Sequence, residues 1–96
     1  MNKINDFPEK TTEALLILAE ECSEVIQATS KCFRFGMDGE YDGETNRVRL
    51  QQELGDILAM IHILEQHGVI SAQALAEAKL RKFKKLERWS TLVVPQ

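Results

Sequence analysis

Four carboxylates stand at positions where a helical sequence ordinarily carries apolar side chains. Set on a wheel at about 100° per residue with Leu18 at the origin, the segment around it gathers Val25, Thr29, Cys22, Leu15 and Ile26 on one continuous face. Glu21 falls between Ala28 and Ala14, inside that arc, and Glu24 falls at its edge beside Ile17. Glu20 points away, among Glu13, Gln27 and Lys31. A second segment repeats the arrangement: with Leu50 at the origin, the apolar face holds Ile61, Leu54, Ile57, Leu64 and Met60. Glu53 lands between Met60 and Leu64, and Asp56 lies at the edge of the arc three residues on. Each segment therefore offers two acids at i and i+3, roughly 5 to 6 Å apart between Cβ atoms, on the side that faces its partner.

A single acid pair at this spacing is usually solvated. Two pairs in the same wheel position on neighbouring helices are a coincidence with a chemical consequence, because an unpaired carboxylate is costly to bury and converging like charges push helices apart. Divalent metal resolves the conflict. Mg²⁺ takes oxygen ligands, accepts a few carboxylates and completes its shell with water and phosphate, and Mn²⁺ suits the same donors. Two such ions could clamp a polyphosphate and activate water.

The elements that must position these acids are helices; no segment alternates like a strand. The first is expected from a cap at Thr11 or Thr12 to about Phe33, closed by Arg34-Phe35-Gly36. The second starts after Thr45 or Asn46 and ends at Gly68, and the third follows Ser71 to about Ser90. Between the first two, residues 36–44 hold three glycines and four acids and read as a solvated loop. The expected fold is all-α: a helical hairpin plus a third helix in each chain, forming a four-helix-bundle core on homodimerisation, with tetramers as a further step.

Ninety-six residues with 44% apolar content make one domain, residues 1–96. A chain of this size buries only roughly 60 to 70% of its extended surface, which favours self-association. The longest apolar run, Ala14 to Ala19, is too short for a membrane span, and the first residues lack a secretory signal, so a cytoplasmic protein without membrane partners is expected. Cys22 and Cys32 lie about 15 Å apart along one helix, beyond disulfide reach, and are expected as reduced core thiols without a basic partner. Residues 1–56 carry twelve acids and six bases, while residues 57–96 carry three acids and six bases, all six between Lys79 and Arg88. The acidic remainder argues against duplex nucleic acid as a partner, although the basic stripe could touch phosphate.

Taken together, Glu20-Glu21-x-x-Glu24, twenty-eight intervening residues and Glu53-x-x-Asp56 resemble the EExxE and ExxD signature of MazG-like nucleoside triphosphate pyrophosphohydrolases, in the all-α NTP pyrophosphatase superfamily. Leu18-Ala19 before the first acids, Lys31-x-x-Arg34-Phe35-Gly36, Asn46-Arg47 and Glu53-Leu54-Gly55-Asp56-Ile57-Leu58 strengthen the resemblance. It covers about residues 12 to 89 and is nearest to short single-domain members, phage ones included, for which the setting would be the host cytoplasm. The resemblance implies Mg²⁺-dependent cleavage of a nucleoside triphosphate to monophosphate and pyrophosphate. It places the metal ligands on Glu21, Glu24, Glu53 and Asp56, and gives Glu20 a helper's part in positioning water. Lys79 and Lys82 match a Lys-x-x-Lys of family members and are expected to contact the polyphosphate, with Lys31 and Arg34 as further candidates.

Base selection is less legible. Phe33 and Trp89 are expected in a core; Phe35, the loop residue Tyr41, and the early residues Asn5 and Phe7 are candidates near a base; His62 and His67 read as surface residues. Three other readings each fit part of the sequence. Asp38-x-Glu40-x-Asp42-Gly43 imitates the opening of a calcium loop, but its twelfth position is Arg49 rather than an acid. A non-catalytic helical interaction module leaves the inward acids unexplained. A phosphoribosyl-ATP pyrophosphohydrolase-like enzyme would share fold and chemistry, and the Arg34-Phe35-Gly36 and Asn46-Arg47 context favours the MazG-like branch.

Overall fold

The computed structural model describes residues 9–95. Its order is α1 (Glu9–Phe35), β1 (Glu40–Tyr41), β2 (Glu44–Thr45), α2 (Asn46–Gln66) and α3 (Ala72–Trp89). Helices carry the architecture, as expected of an all-α domain.

Local chemistry sets the helix ends. Glu9 in the first turn of α1 and Arg34 in its last complement the helix dipole. Gly36, at φ +86°, donates its N–H to the Cys32 carbonyl at 3.0 Å and closes the helix in the left-handed region that glycine adopts without strain. Thr45 caps α2 by accepting from the Val48 N–H at 3.2 Å, and Ser71 caps α3 by accepting from Ala74 at 3.1 Å. The cap expected at Thr11 or Thr12 is not found, because α1 already includes Glu9 and Lys10. Thr11 is instead buried inside the helix, its Oγ1 paired with His67 Nδ1 at 3.1 Å. This contact ties the start of α1 to the end of α2.

The connection between α1 and α2 is more ordered than a solvated loop. Glu40 pairs with Thr45 and Tyr41 with Glu44 in a short antiparallel ladder. Its two-residue turn, Asp42-Gly43, has positive φ at both positions, 56° and 83°, as a tight hairpin turn requires.

The core lies between α1 and α2, where Ala14, Met60 and Leu64 are buried and Leu15, Ile17, Leu18, Ile63 and Ile70 pack around them. It is small for the apolar content. Ile26 and Leu58 are 70% and 67% exposed, and α3 buries none of its residues fully. Phe33 and Trp89, expected in the core, are 85% and 78% exposed, since each projects from the hairpin or from α3 away from the buried cluster, Trp89 with only the Arg88 guanidinium over its ring, 5.4 Å from the centroid. Cys22 is exposed as well and is not a core thiol, while Cys32 is half-buried; both are free. Among the described residues no helix is long and apolar enough to cross a membrane.

Candidate metal and phosphate site

The packing of α1 against α2 brings acids from both helices to one point. Carboxylate oxygens of Glu21, Glu53 and Asp56 lie within 4.8 Å of one another, with Glu21 and Glu53 half-buried and Asp56 exposed. Glu21 comes from the middle of α1. Glu53 and Asp56, one turn apart, come from the facing stretch of α2, so hairpin register creates the cluster.

Its electrostatics are uncompensated. Glu21 holds its proton above the ordinary glutamate range, first because partial burial disfavours the anion, then because Asp56 repels it and shares a hydrogen bond with the protonated form, and then through Glu53 and Glu24. Every contribution acts in the same direction. None of the ion pairs among the described residues involves Glu21, Glu53 or Asp56. Three oxygen donors within reach of one ion, two of them partly withdrawn from water, suit a hard divalent cation.

The remaining candidates are distributed around this cluster. Glu24 is exposed and stands outside the three-acid grouping, although its charge is felt at Glu21. Glu20 is exposed, and its backbone carbonyl accepts a hydrogen bond from Ser23 Oγ at 2.7 Å. Lys79 and Lys82 are exposed on α3, and neither forms an ion pair with a described residue. Lys31 lines a cleft with Phe35, Glu40, Tyr41 and Asn46 at the loop end of the hairpin, whereas Arg34 lies across the Phe35 ring, 4.9 Å from its centroid. His62 and His67 are exposed as expected, His67 with the Thr11 contact in addition. Asn5 and Phe7 lie outside the described residues.

Two residues were not singled out for their structural parts. Asn46 is buried, and its Nδ2 donates to the carbonyls of Gly36 at 2.9 Å and Lys31 at 3.5 Å, locking the start of α2 to the end of α1. An asparagine at a helix start after a glycine-closed helix is a weak signal for such a tie. Arg49 sits with its guanidinium carbon 5.9 Å from the Tyr41 centroid. Its Nε is buried without a hydrogen bond, the Glu44 carboxylate being 3.9 Å away, beyond hydrogen-bond length. The calcium-loop imitation ends in an ion pair, since Asp38 accepts from Arg47 Nε at 3.2 Å.

A helical hairpin with facing carboxylates defines an acid-centred helical domain, and comparison with known families makes that class specific. The family model for the MazG nucleotide pyrophosphohydrolase domain matches residues 9–89. The chain belongs to this family, in agreement with the signature that runs from Glu20 to Asp56. Comparisons with curated proteins and with solved structures gave no match.

Proposed function

We propose that this protein hydrolyses (deoxy)nucleoside triphosphates to the monophosphate and pyrophosphate, with Mg²⁺ held by Glu21, Glu53 and Asp56 and with Glu24 joining from the exposed edge. The observation that carries the reading is the meeting of three carboxylates from two helices, none of which takes part in an ion pair among the described residues. Membership of the MazG nucleotide pyrophosphohydrolase family supports it.

A triphosphate cannot approach this cluster unaided, because both are anionic. Held by Glu21, Glu53 and Asp56, Mg²⁺ would supply the missing positive charge toward the phosphates and would lower the pKa of a bound water. The chain's own residues fix where that happens. Glu53 and Asp56 share one turn of α2 and converge with Glu21 across the hairpin, so the donors are held by packed helices rather than by a loop. Glu21, whose proton affinity is raised, must release its proton as it takes up an ion, which makes metal uptake stronger as pH rises. Glu20, exposed beside the cluster, orients water rather than holding an ion. No protein nucleophile is needed, and neither cysteine belongs to the carboxylate grouping.

Phosphate contacts beyond the metal are assigned to Arg34 on α1 and to Lys79 and Lys82 on α3, while Lys31 lines the cleft at the loop end of the hairpin. The α3 lysines reach the phosphates in an assembly of two chains, where the exposed apolar faces of two hairpins close into a four-helix core. The exposed Ile26, Leu58 and Trp89 support such an assembly.

The direct test is pyrophosphate release across a panel of ribo- and deoxynucleoside triphosphates, with and without Mg²⁺. The wild type is expected to release pyrophosphate only with the metal. Glu53→Gln, which keeps side-chain volume and removes charge, is expected to lower turnover at least about 100-fold with unchanged circular dichroism. Wild-type turnover in that variant would reject the assignment.

A further inference from the structure

We propose that the cleft at the loop end of the hairpin is a nucleobase site selective for guanine, and that it takes the base of the nucleotide whose phosphates lie at the carboxylates. This rests on the function proposed above and adds to it a substrate class.

The cleft is lined by Lys31, Phe35, Glu40, Tyr41 and Asn46 and has a volume of about 380 Å³, within the range of small-molecule sites. Two of its walls are aromatic rings that serve no core: Phe35 is 61% exposed and Tyr41 70% exposed. Tyr41 is held in place rather than left to swing. The short ladder fixes its backbone, and its ring lies within cation–π distance of two cations, 5.8 Å from Lys31 Nζ and 5.9 Å from the Arg49 guanidinium carbon. Arg34 lies over Phe35 in turn, 4.9 Å from its centroid, and the parts of the two rings left exposed beside these cations offer a stacking surface to a flat heterocycle.

The polar groups choose among heterocycles. Asn46 directs Nδ2 to the Gly36 and Lys31 carbonyls, leaving its Oδ1 as an acceptor. Glu40 adds a carboxylate, so two acceptors and one ammonium, from Lys31, line the same space. Guanine carries two adjacent donors, N1–H and the 2-amino group, which match one carboxylate, with the O6 acceptor beside them for the ammonium. Adenine and cytosine present an unprotonated ring nitrogen in place of the N1–H donor, and uracil and thymine flank their single N–H with carbonyl oxygens that a carboxylate repels.

Placement also suits one ligand spanning both regions. Lys31 lies seven residues beyond Glu24 and ten beyond Glu21, about 10 to 15 Å along α1, and within about 20° of Glu24 on the wheel. Asn46 bears the same relation to Glu53 on α2, seven residues away. Lys31 is thus aligned with Glu24 and Asn46 with Glu53, while Glu21 and Asp56 lie about 80° round their helices, and the axial separation is one that an extended nucleotide covers.

The chain has a single tyrosine, so its ring resonances report on the cleft alone. Guanosine, inosine and adenosine 5′-monophosphates, which have no pyrophosphate to lose, are titrated into the full chain with Mg²⁺ while these signals are followed by NMR. GMP is expected to shift them and to bind at least about tenfold more tightly than IMP, which lacks the 2-amino donor, or AMP. Glu40→Gln is expected to reduce that preference to less than about threefold, with the rest of the spectrum unchanged. Tyr41→Leu, followed by calorimetry, is expected to weaken GMP about tenfold. Equal binding of the three nucleotides, an unmoved Tyr41 ring or an intact preference in Glu40→Gln would overturn the proposal. Pyrophosphate release with no base preference leaves the hydrolase standing and removes the guanine site. Selective GMP binding without cleavage of any triphosphate does the reverse.

Discussion

Glu21 concentrates the energetic conflict of the site in one carboxyl group. Its proton affinity is raised in the fold, by burial first and by Asp56 next, so between the ordinary glutamate value of 4.5 and its folded value the native state binds more protons than the unfolded state. Stability of the metal-free protein therefore falls as pH rises through that window, and is greatest below it. Thermal melts in EDTA from pH 4 upward are expected to show this slope, and Glu21→Gln is expected to flatten it and to raise the melting temperature at neutral pH. A wild-type melting temperature that climbs through the window would contradict the arrangement of acids. The inward acids were readable from the wheel, because a charged residue inside an apolar arc is an inconsistency that sequence alone exposes. What the wheel does not provide is the difference between Glu24 and Asp56. Both lie at the edge of their arcs, yet only Asp56 joins the cluster, since that depends on the relative rotation and register of two helices.

At the scale of the element, the hairpin connection determines whether the acids meet. Asn46 stitches the last turn of α1 to the first turn of α2 through the Gly36 and Lys31 carbonyls. Gly39 lies so close to the helix end that a Cβ there would meet the Phe35 carbonyl oxygen at 2.5 Å. Asn46→Ala removes this donor, leaving the Gly36 carbonyl with the 3.3 Å bond from the Gly39 N–H, and is expected to cost about 0.5 to 1.5 kcal/mol. In a domain of this size that is about 4 to 8 °C per kcal/mol in melting temperature, readable by calorimetry; a variant as stable as the wild type would remove Asn46 from this role. Helix ends were mostly legible, because Thr45, Ser71, Gly36 and Gly68 are chemically specific punctuation. The ladder at Glu40–Tyr41 and Glu44–Thr45 was not. Its strands are two residues long, too short for an alternating pattern, and the Asp42-Gly43 turn signal was masked by the acids and glycines around it. Thr11 was misplaced for a related reason: a threonine near a helix start reads as a cap unless a distant partner, here His67, is known.

The whole molecule is open for its length. Its radius of gyration is 16.6 Å, against about 12 to 13 Å for a compact domain of this size. Three buried residues form the cluster between the first two helices, and large apolar side chains on α1, α2 and α3 remain in water. The proposed dimer answers this imbalance. Light scattering is expected to give a dimer or tetramer at micromolar concentration, and Leu58→Glu, which charges an exposed apolar position on α2, is expected to shift it toward monomer. A monomeric wild type would contradict the assembly. An excess of apolar surface over what one chain covers was legible in chain length and apolar content; the exposed places of Phe33 and Trp89 were not, because a wheel shows which face is apolar and leaves open whether that face is covered within the chain. Mg²⁺ at about 100 times its dissociation constant is expected to add about 2.7 kcal/mol of stability, and the central claim is that this stabilisation passes through the three carboxylates. Mn²⁺ binding to the native assembly, followed by electron paramagnetic resonance, tests that claim most directly. Saturable binding that Mg²⁺ competes away and that Glu53→Gln loses is expected; binding that survives in Glu53→Gln, or no binding by the wild type at millimolar Mn²⁺, would take the metal away from these carboxylates.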